Sequence, residues 1–103
     1  MLHPVIVTKI EDLRGICKKH HVEKLFAFGS VCRDDFKEDS DIDLLVHFDK
    51  DLELTDYLDN FLILKEQLEK LFHRKVDLLN EKYIKNPYII KGIEKTRTYL
   101  YDA

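Results

Sequence analysis

Residues 29–46 read GSVCRDDFKEDSDIDLLV: Gly29-Ser30, ten residues, then Asp41-Ile42-Asp43 at the mouth of the apolar run Leu44-Leu45-Val46. An apolar run of this length, bounded by turn-forming residues, reads as a strand buried on both faces and therefore central in a sheet. Side chains alternate along a strand, so Asp41 and Asp43 share one face while Ile42 and Leu44 take the other. The ten residues before the pair are polar, and so short a connection suits antiparallel neighbours. The preceding Lys24–Phe28 (KLFAF) is then a strand that stops at Gly29-Ser30.

Working outward, Ile10, Leu13, Ile16 and Cys17 recur at helical spacing between Val7 and His21. From Leu54 to Phe72 the apolar positions keep a 3.6-residue period over about five turns, which predicts a long amphipathic helix. Lys75–Leu79 (KVDLL) reads as a third strand, parallel to the second because the long helix serves as a crossover. Asn86-Pro87 supplies a cap and a first-turn proline for a last helix carrying Ile89, Ile90, Ile93, Arg97 and Leu100. The expected fold is α/β, a small mixed sheet flanked by helices, with residues 1–103 as one domain. In that topology Gly29-Ser30, Asp41/Asp43 and Asp77 meet at one sheet edge.

The chemistry of that edge follows from its residue types. Two carboxylates side by side in a partly desolvated place repel each other, which raises one pKa or calls for a cation. Mg²⁺ favours carboxylate and phosphate oxygens. A glycine lets backbone approach a phosphate closely, and a serine hydroxyl and the unpaired N–H groups of a following turn donate to it. Arg33 can neutralise further phosphate charge. Asp77 supplies a third carboxylate on the neighbouring strand, with Val76 and Leu78 anchoring it from the opposite face. The set fits a two-metal site, in which one ion activates an attacking hydroxyl and the other holds the leaving pyrophosphate.

Composition excludes several alternatives. Seventeen basic against twenty acidic residues give a net charge of −3, which disfavours autonomous binding to nucleic acid. No apolar run is longer than the four residues of Phe61-Leu62-Ile63-Leu64, far short of a membrane span, and no basic-then-apolar leader opens the chain, so a cytoplasmic protein is expected. Cys17 and Cys32 lack a C-x-x-C spacing and read as reduced thiols. His20, His21, His47 and His73 show no metal-type spacing and stay outside the site. Asp34, Asp35, Glu38 and Asp39 read as a solvated loop. Tyr83, Tyr88, Tyr99 and Tyr101 read as helix packing, with a partner-binding face as the alternative.

The pattern G-S-x10-D-x-D followed by a V-D strand resembles the polymerase-β-like nucleotidyltransferase superfamily, and the short chain with Ser40–Val46 (SDIDLLV) resembles its minimal nucleotidyltransferase group. The resemblance is sharpest between Gly29 and Val46. One departure is Asp34, where many relatives carry glycine after the arginine. The resemblance implies that Asp41, Asp43 and Asp77 hold two Mg²⁺ ions, that Gly29 and Ser30, with Arg33, bind the phosphates of ATP, and that AMP is transferred. It implies a partner as well. About 103 residues leave no room for an acceptor platform, and minimal nucleotidyltransferases are similar to antitoxins paired with a HEPN-domain ribonuclease toxin, whose hydroxyl receives AMP. Two other readings stay open: an antitoxin that only masks its toxin, and the catalytic half of a two-component enzyme acting on a small molecule.

Overall fold

A computed structural model describes residues 2–103. Two helices open the chain, α1 over Pro4–Val7 and α2 over Ile10–Lys19. Pro4 occupies the first turn of α1, and the His3 ring nitrogen accepts the Val5 N–H at 3.0 Å. Glu11 and Asp12 at the start of α2 and Lys18 and Lys19 at its end complement the helix dipole. Strand β1 runs over Val22–Phe28, a 3-10 turn over Gly29–Cys32 follows, and β2 occupies Ile42–Phe48. Helix α3 spans Leu54–Phe72, the span its periodicity predicts, and ends on His73 in the left-handed region. Strand β3 is Val76–Asn80 and helix α4 is Pro87–Thr96, capped by Asn86, whose side chain accepts the Tyr88 N–H.

The C-terminus corrects one expectation. Arg97 and Leu100 do not continue the last helix: Arg97 turns out of helical geometry, and Thr98–Asp102 forms a fourth strand, β4. Thr98-Tyr99-Leu100-Tyr101 is rich in β-branched and aromatic residues, which favour a pleated, half-buried surface. Tyr99 and Tyr101 therefore belong to a strand. Tyr88 is largely exposed, against the packing expected of it, whereas Tyr83 and Tyr99 are half-exposed and keep ring contacts, Tyr83 with Tyr57 of α3 and Tyr99 with Phe26.

The sheet order is β3-β2-β1-β4, with β2 and β3 parallel and the other pairs antiparallel. β2 is central, as its apolar run predicts, and β1 lies beside it in the interior of the sheet. Alternation sorts the core into two layers. Ile42, Leu44 and Val46 of β2, Leu25 and Ala27 of β1, and Val76 and Leu78 of β3 pack with Leu13 and Cys17 of α2 and Leu64, Leu68 and Phe72 of α3. On the other face Phe26 and Leu45 pack with Ile93 of α4, joined by Phe28, Leu79 and Ile84. Cys17 and Cys32 are buried and form no disulfide. Burial pushes the Cys17 thiol up to about 12, so it stays protonated. Among the described residues, no helix is long and apolar enough to cross a membrane.

Candidate active site at the sheet edge

Register brings the predicted residues together. Phe28, the last residue of β1, pairs with Asp43, and Asp43 pairs with Asp77 across the parallel ladder. Paired positions of a ladder share a face, so Asp43 and Asp77 stand side by side on the face that α4 covers, with Gly29-Ser30 directly after Phe28. Asp41 precedes β2 by one residue; it and Asp77 are exposed, whereas Asp43 is half-buried. The Asp43 carboxyl is pushed up from 3.8 to about 6, first by desolvation and then by the charges of Asp77 and Asp41, with a smaller opposing effect from Arg33.

Gly29 takes a left-handed backbone, φ +73°, and a Cβ built there would lie 2.5 Å from Oδ2 of Asp43. Glycine is thus required twice over: for the turn, and because its Cα packs against a site carboxylate. Its N–H is committed to Oγ1 of Thr96, at 2.8 Å. The turn's donors toward a ligand are therefore the Ser30 hydroxyl and the N–H groups from Ser30 onward, in keeping with the expected roles of the serine and the turn after it. Arg33 is exposed at the rim. Its guanidinium forms a two-point contact with Asp35 at 3.0 and 3.2 Å, a hydrogen bond that lowers the Asp35 carboxyl and raises Arg33.

The loop between turn and D-x-D is exposed at Asp34, Asp35, Glu38 and Asp39, as expected, yet it is anchored from beneath. Phe36 lies against the His3 ring, centroids 4.7 Å apart, and under the Arg74 guanidinium at 4.6 Å. Nη1 of Arg74 also donates to the Lys37 and Ser40 carbonyls, at 3.1 and 2.9 Å. Arg74 thereby fixes the backbone immediately before Asp41. Sequence reasoning missed it because a lone arginine between a helix and a strand carries no pattern.

A second unforeseen group flanks the α4 face. Glu81 accepts hydrogen bonds from both His47 and Arg97, and the Arg97 guanidinium lies over the Phe26 ring at 4.8 Å. Burial alone would raise the Glu81 carboxyl, but the hydrogen bonds from Arg97 and His47 prevail and lower it. The network ties the end of β2, the turn after β3 and the α4–β4 junction together.

Chemically, the edge offers three carboxylates and a serine hydroxyl, all hard oxygen donors, with one carboxylate held uncomfortably in a half-buried place. A divalent cation would relieve that cost, so the donor set fits Mg²⁺. Among the described residues, no group of three or more His, Cys, Asp or Glu side chains is placed to hold a metal ion by itself. Such openness suits Mg²⁺, which is commonly held by one or two carboxylates together with substrate phosphates.

Comparison with known proteins identifies the family. The family model for a nucleotidyltransferase domain matches residues 10–100. A Methanocaldococcus jannaschii protein, provisionally named a protein adenylyltransferase, is 40% identical over 101 residues, covering 88% of this chain and 97% of the relative. Protein adenylyltransferase MntA of Thermococcus cleftensis is 37% identical over 95 residues, covering 84% of this chain and 87% of the relative. A solved minimal nucleotidyltransferase superposes with a TM-score of 0.75 at 28% identity over 95% of both chains. A chain of a toxin–antitoxin structure with AMP-PNP shares the fold, at a TM-score of 0.68 and 16% identity, over 91% of this chain and 73% of that one. The chain belongs to the nucleotidyltransferase domain family and, within it, to the minimal nucleotidyltransferases.

Proposed function

We propose that this nucleotidyltransferase transfers AMP from ATP, with Mg²⁺, to a hydroxyl of a partner protein, and that the pair works as a toxin and its antitoxin. The observation that carries the catalytic part is the row Gly29-Ser30, Asp43, Asp77, in which a phosphate-type turn abuts uncompensated carboxylates. The partner is suggested by the MntA relative, named a protein adenylyltransferase. A supporting observation is the outer face of α3, which leaves a leucine stripe in solvent, the sort of surface that marks protein association.

In this reading Asp41, Asp43 and Asp77 would hold Mg²⁺. Bound there, Mg²⁺ supplies charge neutralisation for the triphosphate and a lowered pKa for the attacking hydroxyl. The turn at Ser30 receives the triphosphate tail, and Arg33 can swing from Asp35 to meet its outer oxygens. The acceptor oxygen forms a bond to the α-phosphorus as the bond to pyrophosphate breaks, and the hydroxyl proton passes to the Asp77 carboxylate and on to water. Side chains need only orient the two substrates in line within about 3–3.5 Å, a placement worth several kcal/mol of the barrier.

The decisive experiment incubates the neighbouring gene's product with this protein, ATP and Mg²⁺, and measures its intact mass. A gain of one or more AMP groups is expected, absent with Asp43→Ala. Asp77→Asn should lose turnover while keeping most of its Mg-ATP affinity; full activity in that variant would remove Asp77 from the assignment. Toxin inhibition without a mass gain, and unchanged by Asp43→Ala, would leave masking as the function.

A further inference from the structure

Thr96 stands sixty-seven residues from Gly29 in sequence, yet its Oγ1 accepts the Gly29 N–H at 2.8 Å. We infer that Thr96 is a positioning residue for the nucleotide-binding turn: its hydroxyl holds the Phe28–Gly29 peptide, from which the turn starts, and so helps to set where Ser30 meets the phosphates. The inference rests on the nucleotide-transfer reading above and adds to it a residue far from the motif.

The need for such a device lies in Gly29 itself. Glycine loses more conformational freedom on folding than any other residue, and left to itself it moves readily between positive and negative φ. Here it must hold φ +73° while its Cα lies against the Asp43 carboxylate. A turn in that state has two ways to drift, by rotation at Gly29 or by recoil from Asp43. The hydrogen bond on the Gly29 N–H opposes the second directly, by holding the peptide that enters the turn, and leaves the first a fixed starting plane.

Thr96 is also well held. It is the last residue of α4, and its carbonyl accepts Oγ1 of Thr98 at 3.0 Å. The next residue is fixed twice, by the Arg97 N–H to the Ile93 carbonyl at 2.8 Å and by the Arg97 guanidinium to Glu81. Ile93, one turn back, is buried against Phe26 and Leu45. The hydroxyl is therefore presented from a packed helix end, and the geometry it imposes on the turn belongs to the fold.

The test compares Thr96→Val, which keeps the shape and removes the acceptor, with Thr96→Ser, which keeps the hydroxyl. Calorimetry with Mg-ATP should show affinity weakened about five- to tenfold in Thr96→Val, the loss expected for one hydrogen bond, and restored to within about twofold in Thr96→Ser. The KM for ATP should rise by a similar factor with kcat nearly unchanged, and the Gly29 amide should exchange with solvent faster in Thr96→Val by NMR. Should the valine variant fold poorly, Thr96→Ala with the same amide measurement takes its place. Wild-type affinity in folded Thr96→Val, or failure of Thr96→Ser to restore it, overturns the inference. Failure of the underlying reading looks different: the wild type itself would then bind no Mg-ATP in calorimetry and add no AMP to the partner.

Discussion

Asp43 shows how a functional residue costs the fold something. Its carboxyl is raised from 3.8 to about 6, so between those pH values the folded chain holds a proton that the unfolded chain has released. Folding is therefore favoured below about pH 4, and that advantage is lost as pH rises through 6. At neutral pH, without metal, the ionised carboxylate destabilises the protein. Discounted for its partial exposure, the effect is about 1–2 kcal/mol. Asp43→Asn is expected to be more stable than the wild type by that amount in urea denaturation at pH 7.5 with EDTA, to show no advantage at pH 4, and to be inactive. Equal stability at both pH values would show that the three carboxylates do not strain one another. Gly29→Ala tests the same contact from the other side: a Cβ at 2.5 Å from Oδ2 on a left-handed backbone should cost about 1–3 kcal/mol and displace Asp43. A thermal melt within a degree of wild type would contradict the packing.

Elements carry the site through their junctions more than their interiors. The long period of α3, the apolar run of β2 and the cap at Asn86-Pro87 were all legible, because each repeats one physical preference over several residues. That Asp41/Asp43 and Asp77 share one sheet edge was legible too, since a parallel crossover returns the chain to the edge where the previous strand began; the register that pairs Asp43 with Asp77 was not. Strand β4 was not: Thr98-Tyr99-Leu100-Tyr101 follows a helix with a single residue between, and its apolar positions also fit one more helical turn. Nor were Thr96, Arg74 and Glu81, whose partners lie far away in sequence and leave no spacing to read. Arg74 gives the element-scale prediction. Its bonds to the Lys37 and Ser40 carbonyls hold the loop before Asp41, so Arg74→Ala should weaken Mg-dependent ATP binding several-fold and lower stability by about 1–2 kcal/mol. Calorimetry and denaturant titration check both, and unchanged ATP affinity would mean that Asp41 is positioned without the loop.

At the scale of the whole molecule, the site and an exposed leucine stripe lie on different parts of the fold. The carboxylates sit where β2 and β3 begin, while Leu54, Leu58 and Leu62, exposed by 82, 62 and 53%, run at intervals of four along the outside of α3. Residues four apart on a helix are neighbours, so the three form one stripe, about 12 Å long. It begins beside a cavity of about 480 Å³ at the far end of β2, lined in part by Leu52, Leu54, Tyr57 and Tyr83. Exposed leucines in a row are costly to keep in water and gain by burial at about 25 cal/mol per Å². A partner seated along α3 would leave the strand-edge site open to one of its own hydroxyls. Binding and chemistry should then separate by mutation. Leu58→Asp with Leu62→Asp is expected to weaken association with the purified partner at least tenfold, and to slow its modification in proportion, while ATP affinity and the melting temperature stay near wild type. Asp43→Ala should do the reverse, holding the partner at full affinity with no gain in its mass. Calorimetry of the partner against each variant, followed by intact-mass measurement, decides it: undiminished binding in the leucine variant would move the partner to another face.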